Sequence, residues 1–282
     1  MNPTPHKRSK LLLDIGGTFI KCGDGRCIPI DSNGSREAIV ASLNKAVAPA
    51  RKDEQMRIAV AIPGPFEYEK GIFRMKHKFA AVYGERFSDL TGLSTGTPGR
   101  PRFMFMHDVN AMLLGALQSP ELKDYYRVAL ITLGTGLGFA VSVGGVPQCS
   151  PTGSPAYSIY NRPYRDGIAE DYVSKRGAMR AWTEVTGKRW PKTQTVKDIA
   201  ATPEGGEAFA LMGERLAEVA APLLRILGIE YLLIGGQIAK SFHLMQESLC
   251  QGLGRVSSLR HFGPLPDMDT ASFRGLERLI QD

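Results

Sequence analysis

Residues 10–22 read Lys10-Leu11-Leu12-Leu13-Asp14-Ile15-Gly16-Gly17-Thr18-Phe19-Ile20-Lys21-Cys22. A short apolar run ends in two glycines, and a second strand-like run, Thr18 to Cys22, follows at once. Gly23-Asp24-Gly25 then reads as a hairpin turn. The glycines therefore join strand to strand. A dinucleotide-binding fingerprint needs a helix after its glycines, and its GxGxxG spacing is not met. The GxxxxGK[ST] pattern of a Walker A loop does not occur. What remains is a turn suited to an anion. Two glycines let the backbone approach closely. The backbone N–H groups of Gly16, Gly17 and Thr18 and the Thr18 hydroxyl can donate to phosphate oxygens. Asp14 can accept hydrogen bonds from metal-bound water, as Mg²⁺ sites often require. Taken alone, the same turn reads equally well as an ordinary glycine hairpin.

Working outward, Ser35 to Ala50 has helical spacing, with Ile39, Leu43 and Val47 on one face. Met56 to Ile62 reads as a strand stopped by Pro63-Gly64-Pro65. Arg102 to Met106 reads as another strand, delivering Asp108 at its end, with a helix from Asn110 to Gln118. The second half repeats the plan. Arg127 to Leu133 is an apolar strand, Gly134-Thr135-Gly136 is a turn, and Phe139 to Val143 alternates as a strand. Two Gly-Thr turns, one per half, suit a polyphosphate gripped from both sides. Gln148 to Asp166 is irregular and long enough to suggest a functional loop. Ile168 to Thr186, Gly205 to Leu227 and Gln237 to Leu253 have helical spacing, with Pro222 expected to kink the second. Tyr231 to Ile234 is a buried strand. Gly235-Gly236-Gln237 follows it as a tight strand-to-helix turn, whose donors can hold an α-phosphate or adenosine. Ser272 to Ile280 reads as a terminal helix. The whole is an α/β chain of two lobes with a cleft between them. The lobes are expected at 1–110 and 111–282, with the terminal helix able to pack back on the first.

The bulk numbers agree with a folded protein of this kind. There are 282 residues, 43% hydrophobic and 22% charged. The net charge of +7 is spread along the chain, so it reads as solvated surface and not as a nucleic-acid face. The terminal cluster His6-Lys7-Arg8-Ser9-Lys10 reads as a loose solvated end. Four cysteines, Cys22, Cys27, Cys149 and Cys250, form no CxxC pair, and no signal peptide precedes them. No apolar run approaches the roughly 18 residues of a membrane span. A cytoplasmic protein with reduced thiols, no nucleic-acid partner and no membrane partner is the expectation.

In order and spacing, these motifs resemble the ROK family (repressors, open reading frames, kinases). Asp14-Ile15-Gly16-Gly17-Thr18 is similar to its first phosphate motif. Pro63-Gly64-Pro65, Asp108-Val109-Asn110-Ala111 and Leu133-Gly134-Thr135-Gly136-Leu137-Gly138 follow in the family order. Ile168-Ala169-Glu170-Asp171-Tyr172 resembles the segment carrying the family's sugar-binding Glu, and Ile234-Gly235-Gly236 its adenosine motif. The likeness runs from about residue 11 to about residue 240. It implies an actin-like ATPase (ribonuclease H-like) fold with an interlobe cleft, and a carbohydrate kinase transferring the γ-phosphate of ATP to a hexose or modified hexose. It implies ATP and Mg²⁺ as cofactors, Asp108 as catalytic base and Asp14 on Mg²⁺ through water. It places Gly16, Gly17, Thr18, Gly134, Thr135, Gly136, Gly235, Gly236 and Gln237 on the nucleotide. Gly64, Pro65, His77, Lys78, His107 and Glu170 fall on the sugar side. A homodimer is a family expectation only.

Three departures qualify the likeness. His107 stands where many family kinases have an Asn that binds sugar. The usual zinc segment is missing: Cys149 to Asp166 holds one Cys and no His, too few for a structural zinc site. Lys76-His77-Lys78-Phe79 occupies the place of the family's Asn-Leu, which suits either an anionic or modified sugar or a solvated loop. Two competing readings follow. A non-catalytic nucleotide- or sugar-binding protein is the first, although retention of Asp14, Asp108 and both Gly-Thr turns favours chemistry. A transcription regulator is the weaker one, because too few residues precede Asp14 for a helix-turn-helix.

Overall fold

The computed structural model describes residues 9–97, 100–190 and 193–281. His6, Lys7 and Arg8 of the basic cluster lie outside them. The chain forms two compact units. One comprises residues 1–118, 149–154 and 269–282, and the other 119–148 and 155–268. The boundary expected at Asn110 falls inside a helix of the first unit, Asp108–Ala116.

The first unit is built on a five-stranded sheet. Its strands are β1 (Lys10–Ile15), β2 (Phe19–Cys22), β3 (Cys27–Pro29), β4 (Arg57–Ile62) and β5 (Phe103–His107), in the order β3-β2-β1-β4-β5. β2 runs antiparallel to β1 through the Gly16-Gly17 turn, while β4 and β5 run parallel to β1. Its helices are α1 (Arg36–Ala46), α2 (Phe87–Thr91), α3 (Asp108–Ala116) and the C-terminal helix Met268–Gln281. Ser35 caps α1 by accepting from Ala38 N at 3.3 Å. Pro49 falls in a separate 3₁₀ turn, Ala48–Arg51, so α1 ends earlier than its spacing suggests. One face of the sheet packs a large core that includes Ile39, Leu43, Phe66, Phe73 and Phe87. The other face carries Leu12, Ala59 and Ala61 against Ala111 and Leu276.

The small residues on that second face let α3 and the C-terminal helix touch backbone to backbone. A Cβ on Gly115 would sit 1.8 Å from the Ala271 carbonyl oxygen, and one on Gly275 1.9 Å from that of Ala111. Neither obstacle is a flexible side chain, so the helices must separate. Gly275→Ala is therefore expected to destabilise the protein by about 3 kcal/mol, at the upper end for overpacking. A thermal melt unchanged from wild type would contradict this close approach.

The second unit repeats the sheet plan. Its strands are β6 (Arg127–Leu133), β7 (Leu137–Val143), β8 (Val146–Pro147), β9 (Tyr231–Gly235) and β10 (His261–Pro264), in the order β8-β7-β6-β9-β10. Again the strand after the glycine turn is antiparallel, and the following ones are parallel. The duplication read from the two Gly-Thr turns is thus present at the level of topology. The helices α4 (Lys175–Thr186), α5 (Val196–Ala200), α6 (Gly205–Leu227) and α7 (Gln246–Leu253) complete it. Phe209, Met212, Leu216 and Leu223 of α6 lie in the core against β6 and β9 residues such as Ile131 and Leu232.

The helix α6 is a single run with Pro222 inside it, and two other helical expectations are revised. Gln237–Leu244 is a 3₁₀ run, and α7 begins only at Gln246. Ile168 to Thr186 splits into a 3₁₀ turn, Ala169–Asp171, and α4. Ser174 makes the break: it caps α4 by accepting from Arg176 N at 3.2 Å, while its hydroxyl donates to Glu170 O at 2.6 Å. No helix among the described residues is long and apolar enough to cross a membrane.

Candidate functional site

In the first unit, β1 and β5 are both parallel partners of β4, and their C-terminal ends deliver Asp14 and Asp108. Asp108 is the first residue of α3, and His107 occupies the N-cap position, so the helix starts two residues before the expected Asn110. The Asp108 carboxylate accepts from Val109 N at 2.8 Å, and its Oδ1 lies 2.8 Å from His107 Nδ1. That short contact puts the Nδ1 proton toward Asp108, so the longer approach of Val109 N to Nδ1 carries no hydrogen bond. The Asp108 side chain retains 37% exposure. Burial pushes its carboxyl up. The His107 charge and hydrogen bond, the Val109 amide and the charge of Lys78 outweigh this and hold it below the ordinary aspartate value.

Asp14 behaves oppositely. Burial first, and the neighbouring Asp108 charge second, push its carboxyl up to about 6, against the opposing effects of Lys21 and Ser272. The Ser272 hydroxyl is buried and makes no hydrogen bond of full geometry. Two carboxylates that repel each other form a donor set that a cation would relieve. Mg²⁺ needs only one or two carboxylates when it keeps waters and binds phosphate. The residues therefore fit a hydrated Mg²⁺ held mainly by Asp14. Among the described residues, no three His, Cys, Asp or Glu side chains gather as a metal site.

The first glycine turn is closed by Gly16 N donating to Phe19 O at 2.9 Å. Thr18 is exposed. Neither Gly16 nor Gly17 has positive φ, so torsion does not demand glycine there. Space is tight at Gly17, where a methyl would meet Ser32 Oγ at 3.2 Å and Lys78 Cε at 3.9 Å. Lys78 thus reaches back over the phosphate turn, and His77 beside it is exposed. Gly64 faces His107 and Tyr68. A Cβ there would lie 3.3 Å from His107 Cδ2 and 3.4 Å from Tyr68 Oη. Pro65 is exposed.

Tyr68 and Asn110 were not singled out by sequence reasoning as side chains of this site. The Tyr68 hydroxyl donates to Ile62 O at 3.0 Å, and burial pushes its pKa up. Asn110 is fully buried. Its Nδ2 approaches Cys149 Sγ at 3.2 Å, and its Oδ1 has no hydrogen-bond partner. The DxN spacing after β5 was the signal that could have flagged Asn110. Nothing local could have flagged Tyr68, whose neighbours come from other segments.

In the second unit, the Gly134-Thr135-Gly136 turn is closed by Gly134 N donating to Gly136 O at 3.0 Å, and Thr135 is exposed. A Cβ at Gly134 would meet nothing within 4 Å, so that glycine keeps open space. Glu170 comes to this same turn. Its Oε2 accepts from Leu137 N at 3.0 Å, and Arg176 holds Oε1 at 2.8 Å. A Cβ on Gly136 would approach Oε2 to 2.8 Å. Gly136→Ala should therefore displace the Glu170 carboxylate from Leu137 N, with folding intact, and alter the kinetics of any reaction this turn takes part in. Unaltered kinetics would show that this contact does not matter to the site. The segment carrying Glu170 is pinned by buried Tyr172, whose hydroxyl donates to Asp166. Its ring lies under the Arg180 and Arg215 guanidiniums at 4.1 and 5.2 Å. Gly236 is required twice over, by its φ of 87° and by packing, since a Cβ there would strike Leu133 O at 2.3 Å; Gln237 is exposed.

Comparison with known proteins agrees with this layout. Residues 26–156 match the sequence model of the ROK family. A glucokinase of Thermotoga maritima is 22% identical, with 83% of each chain aligned. A glucokinase structure from Parabacteroides distasonis superposes with a TM-score of 0.77 at 18% identity, covering 100% of this chain and 99% of that one. A ROK family glucokinase from Streptomyces griseus, in complex with glucose and AMPPNP, gives 0.76 at 19% identity, over 97% and 99%. At these identities the structural likeness establishes the fold. Residues 26–156 thus match the sequence model of the ROK family, and the chain takes the α/β, actin-like ATPase fold of ROK glucokinase structures.

Proposed function

We propose that the protein is an ATP-dependent sugar kinase in which Asp108 is the catalytic base. The observation that carries this is the Asp108 carboxylate at the end of β5, partly open, oriented by His107 and Val109 and paired with a second carboxylate, Asp14. We assign the polyphosphate to Gly16, Gly17 and Thr18 and to Gly134, Thr135 and Gly136. The adenosine falls to Gly235, Gly236 and Gln237, on the family likeness. Bound Mg²⁺ would neutralise phosphate charge, with Asp14 holding its waters. Gly64, Pro65, His77, Lys78, His107 and Glu170 stand as acceptor-side candidates, Tyr68 and Asn110 joining them on the geometry above.

Phosphoryl transfer asks a protein chiefly for position and charge. Asp108 would accept the hydroxyl proton as the sugar oxygen attacks. Because its carboxyl is held low, it is fully ionised at neutral pH and takes the proton late, when the attacking oxygen has become acidic. His107 fixes which Asp108 oxygen faces the acceptor. The glucokinases among its relatives make glucose the first acceptor to try, with mannose and N-acetylhexosamines beside it. ATP consumption measured across that panel tests the reading. A second reading rests on the His107–Asp108 contact: a base so engaged suits a protein that binds nucleotide and sugar without reaction. Saturable binding of AMPPNP and a hexose, with no ATP consumed on any sugar, would favour it.

A further inference from the structure

Lys78 was read from sequence as an acceptor-side residue or part of a solvated loop. Its contacts lie at the phosphate turn. Phe79 has φ 53°, a left-handed backbone that costs a non-glycine residue about 1 kcal/mol or more. Its ring is fully buried against Phe73, and its N–H donates to Ser32 O at 2.6 Å. Ser32 N in turn donates to Gly17 O at 3.0 Å. Two consecutive backbone bonds thus tie the Lys76–Phe79 segment to the phosphate turn. The strain at Phe79 is the local cost of holding Lys78 there. The Lys78 side chain is half-buried and runs past Gly17, its Cδ and Cε about 4 Å from where a methyl would stand. Among the described residues, no hydrogen bond or ion pair occupies its ammonium. Its charge is nevertheless felt at Asp108.

A half-buried cation with no protein partner, running past the glycine turn and felt at the Asp108 carboxylate, is free to meet an anion bound at that turn. From this we infer that Lys78 supplies the positive charge that stabilises the phosphoryl group in flight, between the Gly16–Thr18 turn and Asp108. The inference rests on the kinase reading above and adds to it a residue that no motif marks. In the step, the sugar oxygen bonds to the γ-phosphorus. The bond from that phosphorus to the β–γ bridging oxygen breaks, its electron pair leaving with ADP. The hydroxyl proton passes to the Asp108 carboxylate. The Lys78 side chain lies against the equatorial oxygens, where charge accumulates.

Nucleotide binding measured by calorimetry with Mg²⁺, comparing AMPPNP with ADP, tests this without knowing the sugar. Wild type should favour AMPPNP. Lys78→Met should lose about tenfold or more in AMPPNP affinity while ADP stays within about threefold, and Lys78→Arg should recover part of the loss. Lys76→Met, which removes a charge from the same segment over the Tyr83 ring, should change neither. With ATP and the best sugar of the panel, Lys78→Met should lower kcat about 10²–10³-fold, the scale of losing one oxyanion-type contact. Wild-type-like AMPPNP affinity and kcat in Lys78→Met would overturn the inference. So would an equal loss for ADP and AMPPNP, or a change confined to the sugar KM. If wild type itself binds neither nucleotide, the kinase reading fails and takes this inference with it, a result separable from the others because the variant is not involved.

Discussion

Asp108→Asn is expected to lower sugar-dependent ATP consumption by about 10²–10⁴-fold, the usual worth of a positioned general base. The substitution preserves shape, and the side-chain amide oxygen can still accept from Val109 N. What it removes is the place for the hydroxyl proton. AMPPNP and sugar affinities should therefore stay within a few-fold of wild type, so the loss appears in kcat and not in KM. The variant also withdraws the Asp108 charge, which with burial raises Asp14, so the Asp14 carboxyl should titrate lower in it. Steady-state assays on the best sugar, with calorimetry for binding, measure both. Equal turnover by the two proteins would remove Asp108 from the role of base. Loss of sugar binding with kcat preserved would make it an acceptor ligand instead.

The second large effect is expected at Asp14, where stability and activity should move in opposite directions. Its folded-state carboxyl is raised to about 6, above the ordinary aspartate value, by burial and by Asp108. The native state therefore holds this proton more tightly than the unfolded chain does. Stability contributed by the group is fully present below about pH 4 and is lost as pH rises through about 6. Above that, the buried charge is a standing penalty. Asp14→Asn should relieve it and stabilise the ligand-free protein by ~1–3 kcal/mol at pH 7.5, the order of the linkage free energy. The gain should fade as pH drops toward 4. Activity should fall at least about 100-fold, with a raised Mg²⁺ requirement, because the carboxylate that holds the cation's waters is gone. Melting temperatures from pH 4 to 8 and a Mg²⁺ titration of turnover check the two halves. A variant less stable than wild type at pH 7.5 would show that the Asp14 charge is compensated by its surroundings. A variant fully active at the same Mg²⁺ would place the cation elsewhere.

Both substitutions touch a trade-off common at functional sites, where groups are kept in surroundings that do not favour them. The same holds for Phe79 in its left-handed backbone and for the unpartnered Asn110 Oδ1. Each concerns the first unit around Asp14 and Asp108, and each costs stability that the ligand-free chain has no use for.

Much of this was legible in the sequence, because local rules settle it. Apolar runs ending in Gly-Gly and Gly-Thr-Gly fix strand–turn–strand units, and strand spacing fixes that Asp14 and Asp108 leave the ends of β1 and β5. The repeat of that plan announced two sheets of like order. Element ends were less legible. The break before α4 turns on one hydroxyl, that of Ser174, and the 3₁₀ run at Gln237–Leu244 has the same apolar spacing as an α-helix. The opposite shifts of Asp14 and Asp108 were closed to sequence, since two residues of one type differ only in what surrounds them. The position of Lys78 was closed too: it follows from hydrogen bonds joining segments around residues 17, 32 and 79. Chain-local periodicity determined the strands and where their glycines and carboxylates sit. Tertiary structure alone decided which charges share a small volume, because electrostatic energy depends on distance through space, and pattern along the chain does not encode that distance.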